Sequence, residues 1–572
     1  MRILLTIWAG PTSSGKRLAI ALKVRLSETS CCAQSITGQL RPEFHLIINA
    51  KLSMFVAPVL PINPNIALWL EKHALTQPER EVIVYWHADD ISEQWTYKRL
   101  QDCVRQLAAW MQHKGIAAGD RVAFLDYNDA RFAIVMFAAA SIGAIFVPLN
   151  FRLSPAEIVD VVQDCDASLL IYGGEFKAMK AAVIDNCRCP LLICSSRDEH
   201  DEFKDIVSNT LAVDFAIKRC DWNEIAWLLY TSGSTGQPKG VMLSHGNVFW
   251  NTLNIILLQG GFDHDRVLIS APLFHAAPVA TFMESFLRGA AIHLERSFDA
   301  GRMLGRLATQ GIALVAGVPA MYKLMAAHEA FETTPLPNLR AIIVGGAPVP
   351  EALIEHYRSR NIAVIQRYGL TEAAPLVTAL SPGAPVSKKM TAGLPPLFSQ
   401  VRIRASNGAI AAPGEIGEIE AAGPNIMQGY WQRADETRET ICDGWLRSGD
   451  LGQMDQDGYL TVVGRSKDMI ISGGENVYAT EVEARLIENP AILEAAVIGI
   501  PSVKWGEAVC AIVSRKSGLD LDASGVIAHL QGRLARYKQP AHVIFIDIMP
   551  KNGAGKIDKL RLRREYATAQ GL

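Results

Sequence analysis

The sequence predicts an α/β protein, a large body of helix-covered sheets followed by a smaller α/β module. From Ile66 onward, helical patterns such as IALWLEKHAL alternate with short β-rich runs such as EVIVYW and VRIRA, as expected where helices cover sheets. Apolar strands repeatedly run into polar loops, as in IAWLLY before residue 231, RAIIVGGAP at 340–348 and IAVIQRYGLTE at 362–372. Ligands of open α/β sheets collect at such carboxyl ends. The chain has 572 residues, several times the ~150 of one typical domain, so a module beyond the main body is expected.

Residues 1–55 stand apart. ILLTIWAGPTSSGKRLAIALKVRL reads as strand, glycine loop and helix, and Gly10 to Lys16 fits GxxxxGK. Arg17, however, stands where Ser or Thr would ligate Mg²⁺. Together with Cys31, Cys32, Thr37, Gly38, Arg41 and Pro42, this stretch faintly resembles the start of an adenylate isopentenyltransferase. Several βα units of a P-loop domain do not fit before the main body. The segment is therefore expected to be a vestigial or disordered extension, with Met54 an alternative start. Its apolar core, Ile3 to Ala9, is at the short limit for a secretory signal, and no clean cleavage site follows.

The main body is expected over 56–466. Phe132 to Leu149 is an uncharged run of 18 residues, at the lower limit of about 17 for a membrane span. Gly143 and Pro148 interrupt it and a polar segment follows, so it reads as a buried helix passing into a buried strand. The formal net charge is −2 and no long basic or acidic block occurs, which gives no electrostatic reason to propose nucleic acid or an anionic membrane as partner. The ten cysteines are scattered, and Cys187, Cys189 and Cys194 lack the paired CxxC spacing of zinc sites. A reduced, cytoplasmic protein without a transmembrane segment is expected.

Residues 230–240, YTSGSTGQPKG, crowd glycines, hydroxyls and one lysine directly after an apolar strand. Gly233, Gly236 and Gly240 let backbone N–H groups approach an anion; Thr231, Ser232, Ser234 and Thr235 add hydroxyl donors and Lys239 a charge. A phosphate-wrapping loop is expected between that strand and a helix starting near Ser244–Asn247.

Four further motifs follow in order: RYGLTE at 367–372, WLRSGD at 445–450, GRSKDMIISGGENVYATEVE at 464–483 and PKNGAGKIDK at 550–559. With these, the chain resembles the adenylate-forming superfamily from about residue 60 to its end; WTYKRL, GDRVAF and GAIFVPLNFRLSPAE are similar to the family's amino-terminal elements. The resemblance implies a small mobile carboxyl-terminal domain, 467–572, hinged at Lys467. It implies that ATP, Mg²⁺ and CoA serve an acyl-CoA ligase whose carboxylic acid is first joined to AMP.

By that resemblance Thr231 to Lys239 hold the β- and γ-phosphates, Thr371 contacts the α-phosphate and Glu372 binds Mg²⁺. Asp450 receives the ribose hydroxyls with Arg465 assisting, and Gly345, Gly346, Ala347 and Tyr368 form the adenine slot. Lys556 serves adenylation, whereas Gly473 and Gly474 admit the pantetheine arm in thioester formation; Ala479 replaces a common proline. The resemblance further implies that PLFHAAP (272–278), Val318, Pro319 and Met321, and Gly345 to Ala347 line the acyl pocket; these are apolar and small and include no Asp or Arg, which favours a fatty or aryl acid over an amino acid. His275 is either an orienting or gating residue or simply a packed histidine. Rival readings are an enzyme loading a carrier protein in trans, a non-catalytic nucleotide binder and a P-loop transferase.

Overall fold

The computed structural model describes residues 2–8, 21–27, 62–87, 92–187, 189–195, 201–208, 215–232, 238–259, 265–502, 505–552 and 555–566. The chain divides into two compact units, 1–62 and 63–572. In the first, strands Arg2–Trp8 and Ala21–Ser27 pair antiparallel, Arg2 opposite Ser27. A strand thus replaces the helix expected at 21–27. Leu22, Val24 and Leu26 alternate with Lys23 and Arg25, a period of two that suits a pleat rather than a helix. The residues 10–16 of the GxxxxGK match, and Cys31, Cys32, Thr37, Gly38, Arg41 and Pro42, lie outside the described residues.

In the second unit, a seven-stranded sheet runs in the spatial order Gly429–Tyr430, Pro238–Ser244, Ile225–Ser232, Ile145–Pro148, Arg121–Leu125, Leu169–Gly173 and Leu191–Ser195. An eight-stranded sheet runs Leu376–Ala379, Ala363–Gly369, Ala341–Gly345, Ile312–Gly317, Arg266–Ile269, Ala291–Glu295, Glu81–Trp86 and Ser92–Thr96, parallel except at its two edges. Its strand order reverses between Arg266–Ile269 and Ile312–Gly317, so the carboxyl ends there open the crevice in which α/β sheets bind ligands.

One continuous apolar core joins both sheets, with Phe124 and Phe146 from the first and Ile83, Ile269 and Ile343 from the second. Helix Ala130–Ile142 fills the space between them, and all but one of its residues are buried. A helix apolar all round belongs in such a core. Asp129 caps its start through the Arg131 N–H, and Gly143 ends it at φ +77°, a conformation glycine adopts without strain. The 132–149 run is therefore the expected buried helix and strand. No helix among the described residues is long and apolar enough to cross a membrane.

Two smaller sheets complete the unit. One contains Gln400–Arg404, Gly417–Ala422, Trp445–Met454 and Leu460–Arg465; the other begins at Met469–Ser472 and includes Ile492–Ser502, Gly506–Arg515 and His542–Phe545.

Asn128 clamps the two large sheets. Its Nδ2 donates to the carbonyls of Ala271 (2.9 Å) and Glu295 (3.1 Å), and its Oδ1 accepts from the Leu273 N–H (2.8 Å), all buried. Asn128→Ala strands three buried backbone groups at roughly 1–3 kcal/mol each. The variant is expected to melt several degrees below the parent in a thermal denaturation scan, while an unchanged melting point would show that water replaces the amide.

Candidate active site

The glycine loop lies in the chain between two paired strands. Strands Ile225–Ser232 and Pro238–Ser244 pair with Thr231 opposite Lys239, and the helix follows as His245–Gln259. The sequence reading expected the helix without this second strand; Val241 and Met242 are drawn into the sheet because they pair on both sides, with the first strand and with Gly429–Tyr430. Gly233, Ser234, Thr235 and Gly236 lie outside the described residues, and of Ser232 only the backbone is described.

At the base of this hairpin, the Tyr230 hydroxyl donates to Asp164 (2.6 Å), and Arg433 pairs with the other Asp164 oxygen (2.8 Å). Lys239 forms an ion pair with Glu436 and lies 5.3 Å from the Tyr430 ring centroid.

Strand Ala363–Gly369 delivers the next group. A Cβ on Gly369 would lie 1.8 Å from the Pro375 carbonyl oxygen, so only glycine fits at this turn. Thr371 and Glu372 follow in a short 3₁₀ turn, and the Tyr430 hydroxyl donates to Glu372 Oε1 (2.8 Å). Burial and the Glu372 charge raise the Tyr430 hydroxyl, so it stays protonated as a donor. Glu372 is half-buried, and no lysine or arginine pairs with it among the described residues.

Tyr368, the residue before that turn, donates to Asp450 Oδ2 (2.8 Å). Asp450 Oδ1 lies 3.1 Å from Arg465 Nε, its direct partner across neighbouring strands. Burial, then the Asp450 charge, pushes the Tyr368 hydroxyl far up. Gly345 ends its strand, while Gly346, at φ +83°, and Ala347 are exposed beyond it.

The carboxyl-terminal turn reaches the same place. Asn552 organises it, accepting from the Lys556 N–H (3.1 Å) and donating its own N–H to the Lys556 carbonyl (2.8 Å). Gly555 packs against Arg152 of the main body, whose Nη1 lies 3.3 Å from where a Cβ would stand. Lys556 keeps an exposed surface, yet the protein mass around its ammonium lowers its pKa, with Arg465 adding and Asp450 opposing.

His275 precedes helix Ala276–Leu287. Burial, reinforced by Arg152 and Lys556, lowers it to about 4, so at neutral pH its ring is uncharged. Phe274 packs beside it with ring centroids 4.3 Å apart, and Phe151 lies 5.1 Å from Phe274. PLFHAAP and Val318 follow the two strands at which the eight-stranded sheet reverses order. Val318 is 41 % exposed and Met321 is buried.

Asp450 thus binds both Tyr368 and Arg465, Lys556 lies within electrostatic range of Asp450, Arg465 and His275, and Glu372 is just beyond Tyr368 in the chain. Gly473 and Gly474 form a separate tight turn at φ +62° and +86°, where Gly473 packs against Trp505 and space around Gly474 is open. Lys467 sits in the turn Ser466–Asp468, its pKa lowered by burial and by Arg465. Sequence reading missed Tyr430, Glu436 and Arg152. Their partners are distant in the chain, and only the glycine–aromatic pair Gly429–Tyr430 hinted at a role. A groove of about 200 Å³ bounded by Arg402, Arg404, Ile410, Cys442 and Asp443 includes none of these residues, and Glu420 already pairs both its arginines.

Comparison with known proteins gives this arrangement its class. The family model described as AMP-binding enzyme matches residues 70–431, and that of the AMP-binding enzyme C-terminal domain matches 481–556. The chain belongs to the AMP-binding enzyme family. A feruloyl-CoA synthase of Amycolatopsis sp is 41% identical over 474 residues, covering 82% of this chain and 94% of its own. A long-chain-fatty-acid–CoA ligase of Mycobacterium tuberculosis is 35% identical over 506 residues, covering 88% and 99%. The o-succinylbenzoate CoA synthetase of Bacillus subtilis, solved with its acyl-adenylate intermediate, superposes with a TM-score of 0.78 at 30% identity, covering 86% and 97%. Solved with ATP and magnesium ion, the same enzyme matches at 0.78 and 29%, covering 86% and 99%. The chain is accordingly an acid–thiol ligase, with a large amino-terminal and a smaller carboxyl-terminal domain.

The buried histidines set an acid limit. Burial lowers His245 and His275 to about 4 and His293 to about 3, from an ordinary 6.5. As pH falls below 6.5 the unfolded chain takes up these protons first, so stability present above that pH is lost progressively towards pH 4. Denaturant midpoints are expected to fall between pH 7 and pH 5, and less so in His293→Gln, which keeps an acceptor for the Trp86 indole. Parallel pH profiles for the two proteins would count against this origin.

Proposed function

We propose that this ligase activates an aromatic or fatty carboxylate, with an aromatic acid favoured, as an acyl-adenylate and transfers it to CoA. The observation that carries this reading is that Lys556, from the small domain, lies within electrostatic range of Asp450, Arg465 and His275 of the main body. The aromatic wall of Phe151, Phe274 and His275, with no Asp or Arg in PLFHAAP, supports an aryl substituent. The feruloyl-CoA synthase relative supports the same class.

In the first step a carboxylate oxygen attacks the α-phosphorus of ATP and the bond to pyrophosphate breaks. Lys556 stabilises the charge gathering on the carboxylate and α-phosphate. Asp450 accepts from the ribose hydroxyls, Tyr368 and Gly345–Ala347 hold the adenine, Thr371 meets the α-phosphate, and 231–239 hold the outer phosphates. Neutral His275 can orient the carboxylate with one N–H, without competing for its charge. Mg²⁺ fits Glu372, a half-buried carboxylate with no cationic partner among the described residues. No group of three metal-ligating side chains occurs among the described residues, so phosphate oxygens would complete the coordination. Bound there, the ion would neutralise phosphate charge.

In the second step the CoA sulfur attacks the acyl carbon and AMP leaves. The small domain, 467–572, turns about Lys467 to present Gly473–Gly474, whose open space admits a thin pantetheine arm. The eight described cysteines are free thiols, which supports a reducing cytoplasmic setting.

A pyrophosphate-release screen over aromatic and fatty acids, with and without CoA, tests the reading; acid-independent release, or transfer only to a carrier protein, would refute CoA ligation. Lys556→Ala is expected to slow adenylation about 100-fold or more, while thioester formation from supplied acyl-adenylate continues. Equal loss in both halves would remove the lysine from its assigned step. Gly474→Trp is expected to do the reverse, keeping single-turnover pyrophosphate release and losing acyl-CoA formation. Normal acyl-CoA synthesis would mean that CoA does not pass this glycine.

A further inference from the structure

Arg367, directly before Tyr368, has a buried side chain that none of these roles uses. Its Nη2 lies 2.9 and 3.0 Å from the two carboxylate oxygens of Glu284 and 2.6 Å from Gln259 Oε1, and its Nη1 lies 3.3 Å from Thr281 Oγ1. Only 11% of the Arg367 side chain and 2% of that of Glu284 is accessible. Thr281 and Glu284 are three residues apart on helix Ala276–Leu287, the helix that His275 precedes, and Gln259 ends helix His245–Gln259. The Arg367 backbone is held between Gly345 and Ala379. Successive strand residues face opposite ways, so Arg367 reaches the helices while Tyr368 reaches Asp450.

A buried ion pair is an inefficient source of stability, because desolvating two charges offsets much of their attraction, and its best-attested use is to fix a register. Here the two elements joined are the strand that delivers Tyr368, Thr371 and Glu372 and the helix that begins beside His275. We propose that Arg367, through its ion pair with Glu284, is a positioning residue that locks the Tyr368–Glu372 turn in register with the helix following His275. The nucleotide and the acid are then presented to each other by two elements that cannot shift independently. The inference rests on the adenylating function proposed above.

The test replaces both charges at once. Arg367→Met with Glu284→Leu leaves no unpaired buried ion, so the double variant is expected to melt within about 3 °C of the parent. At saturating ATP and acid its single-turnover pyrophosphate release is expected to fall about 10- to 100-fold, with KM for CoA unchanged. Arg367→Lys, which retains a cation opposite Glu284, is expected to lose less. A double variant that melts and adenylates like the parent overturns the positioning role, as does a rate loss matched by a rise in KM for CoA. Should the double variant not fold, Glu284→Gln keeps the shape and an acceptor for Arg367; a folded Glu284→Gln with slowed adenylation supports the role, and one with an unchanged rate overturns it. Acid-dependent pyrophosphate release by the parent protein upholds the function independently, so an unaffected variant refutes only the positioning role.

Discussion

The geometry of the site depends on Asp450. Its two oxygens are engaged by Tyr368, from the eight-stranded sheet, and by Arg465, at the end of the strand that leads into the small domain. A carboxylate with only 10% of its side chain accessible must be paired, so these bonds tie three parts of the molecule to one point. A carboxylate offers about four acceptor positions, so capacity for further donors, the ribose hydroxyls on the proposed reading, remains after both partners are seated. The same charge opposes the lowering of the Lys556 pKa and helps keep that ammonium protonated beside Arg465.

The hairpin of Ile225–Ser232 and Pro238–Ser244 is braced in a comparable way. Tyr230, Asp164, Arg433 and Glu436 form a chain of polar contacts that ends on Lys239. A polyphosphate seated at the tip would have to take the lysine over from Glu436, an exchange between two anions rather than the capture of a free cation. Such an exchange costs less than desolvating an ammonium from water, because the side chain is already ordered and largely withdrawn from solvent.

Much of this was legible in the sequence because the chemistry is carried by short contiguous motifs. The glycine-bearing motifs fall between the paired strands Ile225–Ser232 and Pro238–Ser244, at the Tyr368–Glu372 turn and at the Lys556 turn, and the interrupted apolar run 132–149 declared itself a buried helix and strand. Legibility failed where structure depends on distant partners. Pro238–Ser244 became a strand because Gly429–Tyr430 pairs with it from nearly two hundred residues away, and Glu436 reaches Lys239 from a similar distance. The failure at Ala21–Ser27 was different: the alternation of Leu22, Val24 and Leu26 was present, but the neighbouring GxxxxGK pattern suggested a helix.

The distribution of charge across the site explains why its two ends need different residues. At the end proposed for the nucleotide, fixed charges meet fixed charges, Asp450 with Arg465 and Glu436 with Lys239, while Glu372 accepts from a hydroxyl. Around the acid, Phe274 and Phe151 are apolar and His275 is uncharged above about pH 4. On the proposed reading, a carboxylate entering that end loses hydration, and the cations whose charge reaches His275 are Arg152 of the main body and Lys556. That lysine belongs to the small domain, and its lowered pKa records the cost of holding the ammonium in a crowded place beside Arg465. In the proposed first step the carboxylate becomes the neutral acyl part of a mixed anhydride whose phosphate keeps one negative charge, so the reason for the lysine to remain beside the acyl group weakens. On that proposal, the first step removes part of the attraction that holds Lys556, as a second step served by Gly473 and Gly474 would require.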